Sequence, residues 1–480
     1  MHDTKVGRIQ VGDEPSPRPG WLSRDSFVWL VLVAVLFLAA QLNPSLLRMP
    51  LGPDEMTYIA KTSAHASGVF LPPVHGHGVG LLAAPVTLFT TSVVALRIWM
   101  AVLSALGLFL AMLCWRRLRP AWVLAIAGLI LASLAITQNS GVQVYPDWWA
   151  GVGILAFTGL FLHAVNGTMR SGRALTLVGA VSFLIVMMRP QNIVFILGPA
   201  IAAVLFVPAW RKPKVLVAMG IGIGLGLLEW AAEAVYWFGG VANRLTLAGQ
   251  EPPSFRPYFS FFTQVKVLSG PWYCETPPRG CPGITMPGDL LWYVALLALV
   301  VVGLYAVWRT STRSSSLLAL YTGLWVVVLY GFLVPFGAPR YFLPTYALFA
   351  ILAADGIAWL VTKSRWRTAG VVVTCAFLLI GIVTQQFVLR DEVASQTAGR
   401  PYAARAAQLA KLGIHAPCVV YSTSIAYYLG CAAPWSGGTM REVFIRTPQG
   451  RRGWQRLTLP AGSPVVFVPT RVGNGSSLGK

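Results

Sequence analysis

Met49-Pro50-Leu51-Gly52-Pro53-Asp54-Glu55-Met56-Thr57-Tyr58 is the first hydrophilic stretch to follow an apolar segment at 26–43. Only 11% of the 480 residues are charged and 16 are acidic, yet two of those stand side by side here. Carboxylates beside a bilayer are costly and mark working positions. The fold turns on whether the apolar segment before them crosses a membrane.

Hydrophobic residues make up 56% of the sequence, leaving too little polar surface to coat a water-soluble body of this size. The sequence predicts a polytopic membrane protein. A spanning helix needs roughly 20 mostly apolar residues. About eleven windows fit, near 26–43, 91–114, 121–138, 148–165, 174–188, 192–209, 215–239, 289–308, 315–335, 341–361 and 368–388.

Alternate short connections are basic: Arg116, Arg117 and Arg119; Arg170 and Arg173; Arg211, Lys212 and Lys214; Arg309 and Arg313; Lys363, Arg365 and Arg367. The positive-inside rule makes these loops cytoplasmic. Residues 1–25, with Lys5, Arg8, Arg18 and Arg24, fall on the same side. The apolar stretch after them has no convincing small-residue cleavage site and reads as a retained signal anchor. An odd number of spans puts 390–480 outside and leaves 26–389 as the membrane domain of a multi-pass plasma (inner) membrane protein. The net charge of +21 is split between the cytoplasmic loops and the outer tail, with no basic stripe interleaved with aromatics. That argues against nucleic acid and for anionic lipid and phosphate.

The six cysteines fit this sidedness. Cys274 and Cys281 share an outer loop, and Cys418 and Cys431 share the outer tail, where an oxidising exterior favours disulfides; free thiols throughout are the alternative. Cys114 and Cys375 belong to spans. Of the outer segments, 44–90 holds a weakly amphipathic stretch at 56–67, then Pro72-Pro73 and a glycine-rich turn, the pattern of short interfacial helices. Segment 240–288 carries Tyr258, Phe259, Phe261, Phe262, Trp272 and Tyr273, aromatics suited to the interface. In the tail, 418–421 and 464–468 read as strands and 402–412 as a helix, a small α/β domain.

An Asp-Glu pair right after the first span, two outer loops able to form juxtamembrane helices, and Pro339-Arg340-Tyr341-Phe342-Leu343-Pro344 at the outer mouth of a late span together resemble the GT-C superfamily of membrane glycosyltransferases. Within it the likeness is to the group that includes protein O-mannosyltransferases and the aminoarabinose transferases of lipid A. It covers residues 25–390 and leaves the tail out. The resemblance implies an all-α membrane fold and an enzyme that takes a sugar from a polyprenyl-phosphate donor. The sugar passes, usually with inversion, to a glycan, glycolipid or protein hydroxyl at the extracytoplasmic face. No cofactor is certain from it, and a divalent metal stays open.

Such a transfer needs a base for the acceptor's proton, typically worth ~100-fold to 10,000-fold in rate. Asp54 is the candidate, with a helix cap after Pro53 as its structural alternative. Glu55 orients it, binds the acceptor or faces water. The leaving phosphate needs a cation near the outer interface. Arg340 leads, its planar fork matching phosphate oxygens, with Tyr341 as a further donor. Arg189, in Met188-Arg189-Pro190-Gln191, is the second candidate. Snorkelling from a helix end is the alternative for Arg340.

Asp147, in Tyr145-Pro146-Asp147-Trp148-Trp149, is a second carboxylate for acceptor or metal, or a cap. His75 and His77 follow the double proline and stand as acceptor-entrance candidates; two histidines at that spacing define no metal site. Lys61, Arg256 and Lys266 either touch phosphate or are simply solvated. Glu229 and Glu233, one helical turn apart in the 215–239 window, support a rival reading, a lipid or solute transporter or flippase coupled through intramembrane carboxylates. A non-enzymatic assembly protein is a third. No inverted repeat is evident, and the ionisable residues gather on one face, which favours the transferase. Convergence of Asp54, Arg189 and Arg340 separates the readings.

Overall fold

The computed structural model describes residues 27–60, 62–63, 72–250, 257–268, 272–275, 287–308, 313–362, 367–414, 418–420, 423–431, 454–457 and 466–469. Lys61, Arg256, Cys281, Arg309, Lys363 and Arg365 lie outside them. The chain opens with α1 (Val28–Gln41) and the short α2 (Pro44–Leu47), capped by the Asn43 side chain. α3 (Pro53–Ala60) and α4 (Gly78–Thr87) follow in segment 44–90. Then come α5 (Val93–Leu113), α6 (Ala121–Ser133), α7 (Ala135–Val142), α8 (Pro146–Asn166), α9 (Ser171–Met188), α10 (Ile193–Phe206) and α11 (Pro213–Phe238). α12 (Val241–Gln250) and α13 (Phe261–Val267) precede α14 (Pro287–Trp308), α15 (Arg313–Leu333), α16 (Leu343–Thr362) and α17 (Arg367–Ala398). α18 (Tyr402–Lys411) and α19 (Thr423–Leu429) lie in the tail.

Each apolar window falls on helix. Among the described residues, eight helices are long and apolar enough to cross a membrane, or nine with the bent α6–α7 pair. The two remaining windows hold α1 and α10, of 14 residues each. At 1.5 Å per residue they reach about 21 Å, short of a ~30 Å hydrocarbon layer without their flanking turns. The fold is the all-α polytopic one expected, with fewer full-length spans than windows. α17, of 32 residues, runs through the expected boundary at 390 and ends at Ala398. Every residue of α16 from Leu343 to Ala354 is buried, as an all-round apolar helix must be. α6, α8, α14 and α15 pack around it.

α6 and α7 meet at a 78° bend at Leu134. A break within a spanning segment would free backbone groups that lipid cannot satisfy. Side-chain amides take them up: the Ala135 N–H donates to Gln385 Oε1 at 2.8 Å, and Gln138 Nε2 donates to the Ala132 carbonyl at 3.1 Å. Beyond the bend, residues 142–147 run past the loop that carries α3.

β1 (Cys274–Glu275) pairs antiparallel with β2 (Phe336–Gly337), and the 3-10 turn Pro339–Phe342 follows almost at once. Residues 274–275 are thereby tied to the start of α16. In the tail, β3 (Val419–Val420), β4 (Trp454–Leu457) and β5 (Val466–Pro469) form an antiparallel sheet in the order β3-β5-β4. A Cys418–Cys431 disulfide brackets α19, and Cys274 is also disulfide-bonded. Cys114 and Cys375 are free thiols.

Arg119, at the turn between α5 and α6, pairs with Asp355 of α16 at 2.8 Å and donates to Ser315 and Ser316 at the start of α15. α9 begins beside Arg173 and finishes at Arg189, while α16 begins just after Arg340 and runs down to Asp355. The basic connections and the Arg189–Arg340 region therefore occupy opposite ends of the bundle.

Candidate functional site

Asp54 and Glu55 both sit in the first turn of α3. Successive helical residues point about 100° apart, and that rotation sends the two carboxylates into opposite surroundings. Glu55 is fully buried. Arg97 of α5 grips both of its oxygens, the Gly52 and Val144 N–H groups donate to it at 2.8 and 2.9 Å, and Arg400 Nη1 lies 3.7 Å away. Burial alone would raise the Glu55 pKa; the Arg97 guanidinium outweighs it and holds the carboxyl below its ordinary value. Gly52 lies close under two side chains: a Cβ there would stand 2.8 Å from Tyr145 Oη and 3.2 Å from the Arg400 guanidinium. Glu55 thus faces neither water nor Asp54's surroundings, and it fastens α3 to α5, to 142–144 and to the end of α17.

Asp54 points the other way, its side chain 53% exposed. Arg340 Nη2 stands 3.9 Å from Asp54 Oδ2, and Arg340 Nε stands 3.4 Å from Asp147 Oδ2. Arg189 Nη1 donates to the other oxygen, Asp147 Oδ1, at 3.2 Å. Asp147 is therefore shared by both arginines. The Tyr341 ring centroid lies 5.3 Å from the Arg340 guanidinium and 5.8 Å from that of Arg189, and the Tyr145 centroid lies 5.0 Å from Arg340, within cation–π range. Tyr330 stacks on Tyr341 at 4.8 Å.

The approach of Arg340 to Asp147 is an ion pair without a hydrogen bond. Arg340 Nε and Asp147 Oδ2 are both buried and have no hydrogen-bond partner among the described residues. Leaving such groups unsatisfied costs ~1–3 kcal/mol each. A planar guanidinium with unused donors, next to a second one, is a place for an anion that brings several oxygens.

His75 belongs to this cluster. Its ring stacks on Tyr58 at 4.4 Å, and its Nδ1 is 3.4 Å from the Thr57 hydroxyl. Burial drives its pKa down to about 4, against the pull of Asp54 and with help from Arg189, Arg244 and Arg340, so the imidazole is neutral at pH 7. His77 turns instead to α11, with Nδ1 2.9 Å from Glu229 and Nε2 3.1 Å from Glu233. Glu233 also accepts from Arg244 at 2.9 Å, and Arg244 donates further to the carbonyls of Pro73, His75 and Trp230.

The ligand atoms of His77, Glu229 and Glu233 lie within 4.8 Å of one another, a donor set whose composition suits a divalent ion. The arrangement is nonetheless that of an ion-pair network, because both imidazole nitrogens are engaged and Arg244 compensates Glu233. The two glutamates, the only acidic residues of α11, are tied through His77 to segment 44–90 at the Asp54 end of that helix.

Tyr58, Tyr145, Tyr330, Arg97 and Arg400 join the site only in the fold. Tyr58 follows Asp54 by one helical turn, and Arg97 is a charge inside an apolar window, a signal of a buried partner. Tyr330 stands in an apolar run and carries no signal of its own.

No protein-family model matches the chain, and no curated protein matches it significantly. Solved structures do match. ArnT from Cupriavidus metallidurans bound to undecaprenyl phosphate superposes with a TM-score of 0.61 at 16% identity, over 85% of this chain and 86% of that one. Its apo state gives 0.59 at 15% identity, over 84% and 85%. The Archaeoglobus fulgidus oligosaccharyltransferase in complex with Zn and sulfate gives 0.54 at 14% identity, over 84% of this chain and 62% of that one. Similarity at this level is similarity of fold: the chain has the fold of the GT-C membrane glycosyltransferases.

Proposed function

We propose that the chain is a glycosyltransferase that moves a sugar from a polyprenyl-phosphate donor to a hydroxyl acceptor at the extracytoplasmic membrane face. One observation carries the reading: Asp54, Asp147, Arg189 and Arg340, from four separate segments, meet at one end of a GT-C bundle, with Asp54 half exposed and Arg340 Nε lacking a hydrogen-bond partner. The donor class is supported by the similar fold of ArnT, which was solved with undecaprenyl phosphate. The sidedness is supported by the basic connections at the opposite end of the bundle.

In this reading Arg340 and Arg189 hold the donor phosphate, and Asp147 sets the spacing of the two guanidinium groups. The acceptor oxygen attacks the anomeric carbon while its proton passes to Asp54. The bond from that carbon to the phosphate oxygen breaks, and its electron pair leaves on the polyprenyl phosphate, where the arginines stabilise the charge. Tyr341 lies beneath both arginines, and the neutral His75 offers a hydrogen bond to the acceptor. Glu55 positions α3 and takes no proton. His77, Glu229 and Glu233 form an ion-pair network with Arg244 and take no part in the transfer. The same three residues, tied to Arg244, lend no support to a transporter coupled through Glu229 and Glu233.

The test is purified protein in lipid discs, supplied with a panel of polyprenyl-phosphate sugars and hydroxyl acceptors. Release of polyprenyl phosphate together with glycosylated product is expected for at least one donor. Movement of an unmodified lipid or solute that depends on Glu229 would replace this reading with the transporter.

A further inference from the structure

The half of the bundle away from the Asp54 cluster holds a cleft that the transfer does not use. α9 and α11 run with their backbones in contact: a Cβ on Gly222 would collide with the Gly179 carbonyl oxygen, and one on Gly226 would stand 2.7 Å from Val186. Backbones this close make the larger side chains splay. A cleft of about 630 Å³ opens between them, walled by Leu175, Phe183, Ile221 and Leu225. Lys214 is the one charged residue lining it, and it stands where α11 begins.

From Lys214 to Leu225 the helix advances about 16 Å, roughly half of a ~30 Å hydrocarbon layer. The cleft therefore spans one leaflet, from a basic rim to mid-membrane. The exposed residues Arg173, Arg211 and Lys212 flank the same end, and no acidic residue occurs between Asp147 and Glu229. Apolar wall, single-leaflet depth and a basic rim with no acidic partner among the described residues describe the complement of one ligand class.

We propose that this cleft binds an anionic phospholipid of the leaflet opposite the Asp54 cluster, with an acyl chain along Leu175, Phe183 and Ile221 and the headgroup phosphate at Lys214. A second copy of the chain fits worse, because a symmetric contact through this face would set one basic rim against another. The site differs from the donor site of the proposed transferase, whose phosphate lies at Arg189, the far end of α9. It requires no transferase activity.

Native mass spectrometry of the full-length protein in detergent, titrated with phosphatidylglycerol or phosphatidylcholine, tests it. Wild-type protein is expected to retain phosphatidylglycerol about fivefold better, the factor for one basic residue at a membrane surface. Lys214→Gln should abolish that preference and leave phosphatidylcholine retention as it was. Arg367→Gln, at the start of α17 and on the same side by charge pattern, should change neither. Ala180→Trp, which fills the cleft from its wall, should lower retention of both lipids. Equal retention of the two lipids by wild-type protein, equal losses in Lys214→Gln and Arg367→Gln, or dimers that disappear with Ala180→Trp would each overturn the proposal.

Discussion

Glu55 and Asp54 share a peptide bond, yet Glu55 lies fully buried under Arg97 while Asp54 keeps about half its side chain exposed, 3.9 Å from Arg340. The buried carboxylate has its oxygens occupied by a guanidinium and two backbone N–H groups. Such a pair is expensive to break from either side, because the survivor is left charged and dry. The exposed carboxylate faces a guanidinium that has hydrogen-bonding capacity to spare. A single residue step, about 100° of helical rotation, thus separates an anchor from a candidate reactive group, and the rigidity of the first supplies the placement of the second.

The largest effect expected is on Asp54. Asp54→Asn keeps the shape and removes the base, so turnover should fall ~100-fold or more with the melting temperature unchanged. A well-folded Asp54→Asn protein with undiminished sugar transfer would dissolve the contrast and, with it, the proposed mechanism.

Glu55→Gln should do the reverse. Arg97 would keep its charge in a dry site with a neutral partner, costing ~3–5 kcal/mol of stability. Thermal unfolding in lipid discs reads this, and activity should decline only as far as the folded fraction does. If Glu55→Gln melts normally but loses turnover as Asp54→Asn does, the two carboxylates act together and the anchor assignment fails.

Arg340→Ala sharpens the exposed half of the contrast. Loss of a charge-assisted contact to phosphate should weaken donor binding by ~1.5–3 kcal/mol. The readout is a raised KM for the lipid donor, and an unchanged KM would move the phosphate elsewhere.

The smallest effect is on pH dependence. His75 in the folded protein titrates near 4, below the ordinary 6.5, so the unfolded chain takes up a proton that the folded chain refuses. Stability should therefore fall as pH drops from about 6.5 toward 4, and His75→Gln should flatten that limb of the melting-temperature profile. An equally steep limb in His75→Gln would assign it to other groups.

The tail, which the family resemblance leaves out, reaches this same region. Arg400 donates to the Pro50 carbonyl at 2.9 Å, and α19, bracketed by the Cys418–Cys431 disulfide, packs on α3. Tyr427 hydrogen-bonds Ser63, and Tyr428 hydrogen-bonds the backbone of Leu51. The residues beyond the last span thus brace the loop that carries Asp54.

By itself the sequence determined the membrane class, the windows that became helices and the segregation of basic turns. Each of these rests on local composition: a run of apolar residues in lipid has no better state than helix, and a basic turn resists translocation. It also singled out Asp54, Asp147, Arg189 and Arg340, because charges at the ends of apolar runs are few. Tertiary structure alone decided that these four meet, that Tyr330 lies beneath Tyr341, and that Glu55 turns inward to Arg97. Pairing across 42 residues between Glu55 and Arg97 depends on how α3 and α5 cross. A side chain's direction on a helix is fixed only once its neighbours choose which face to bury.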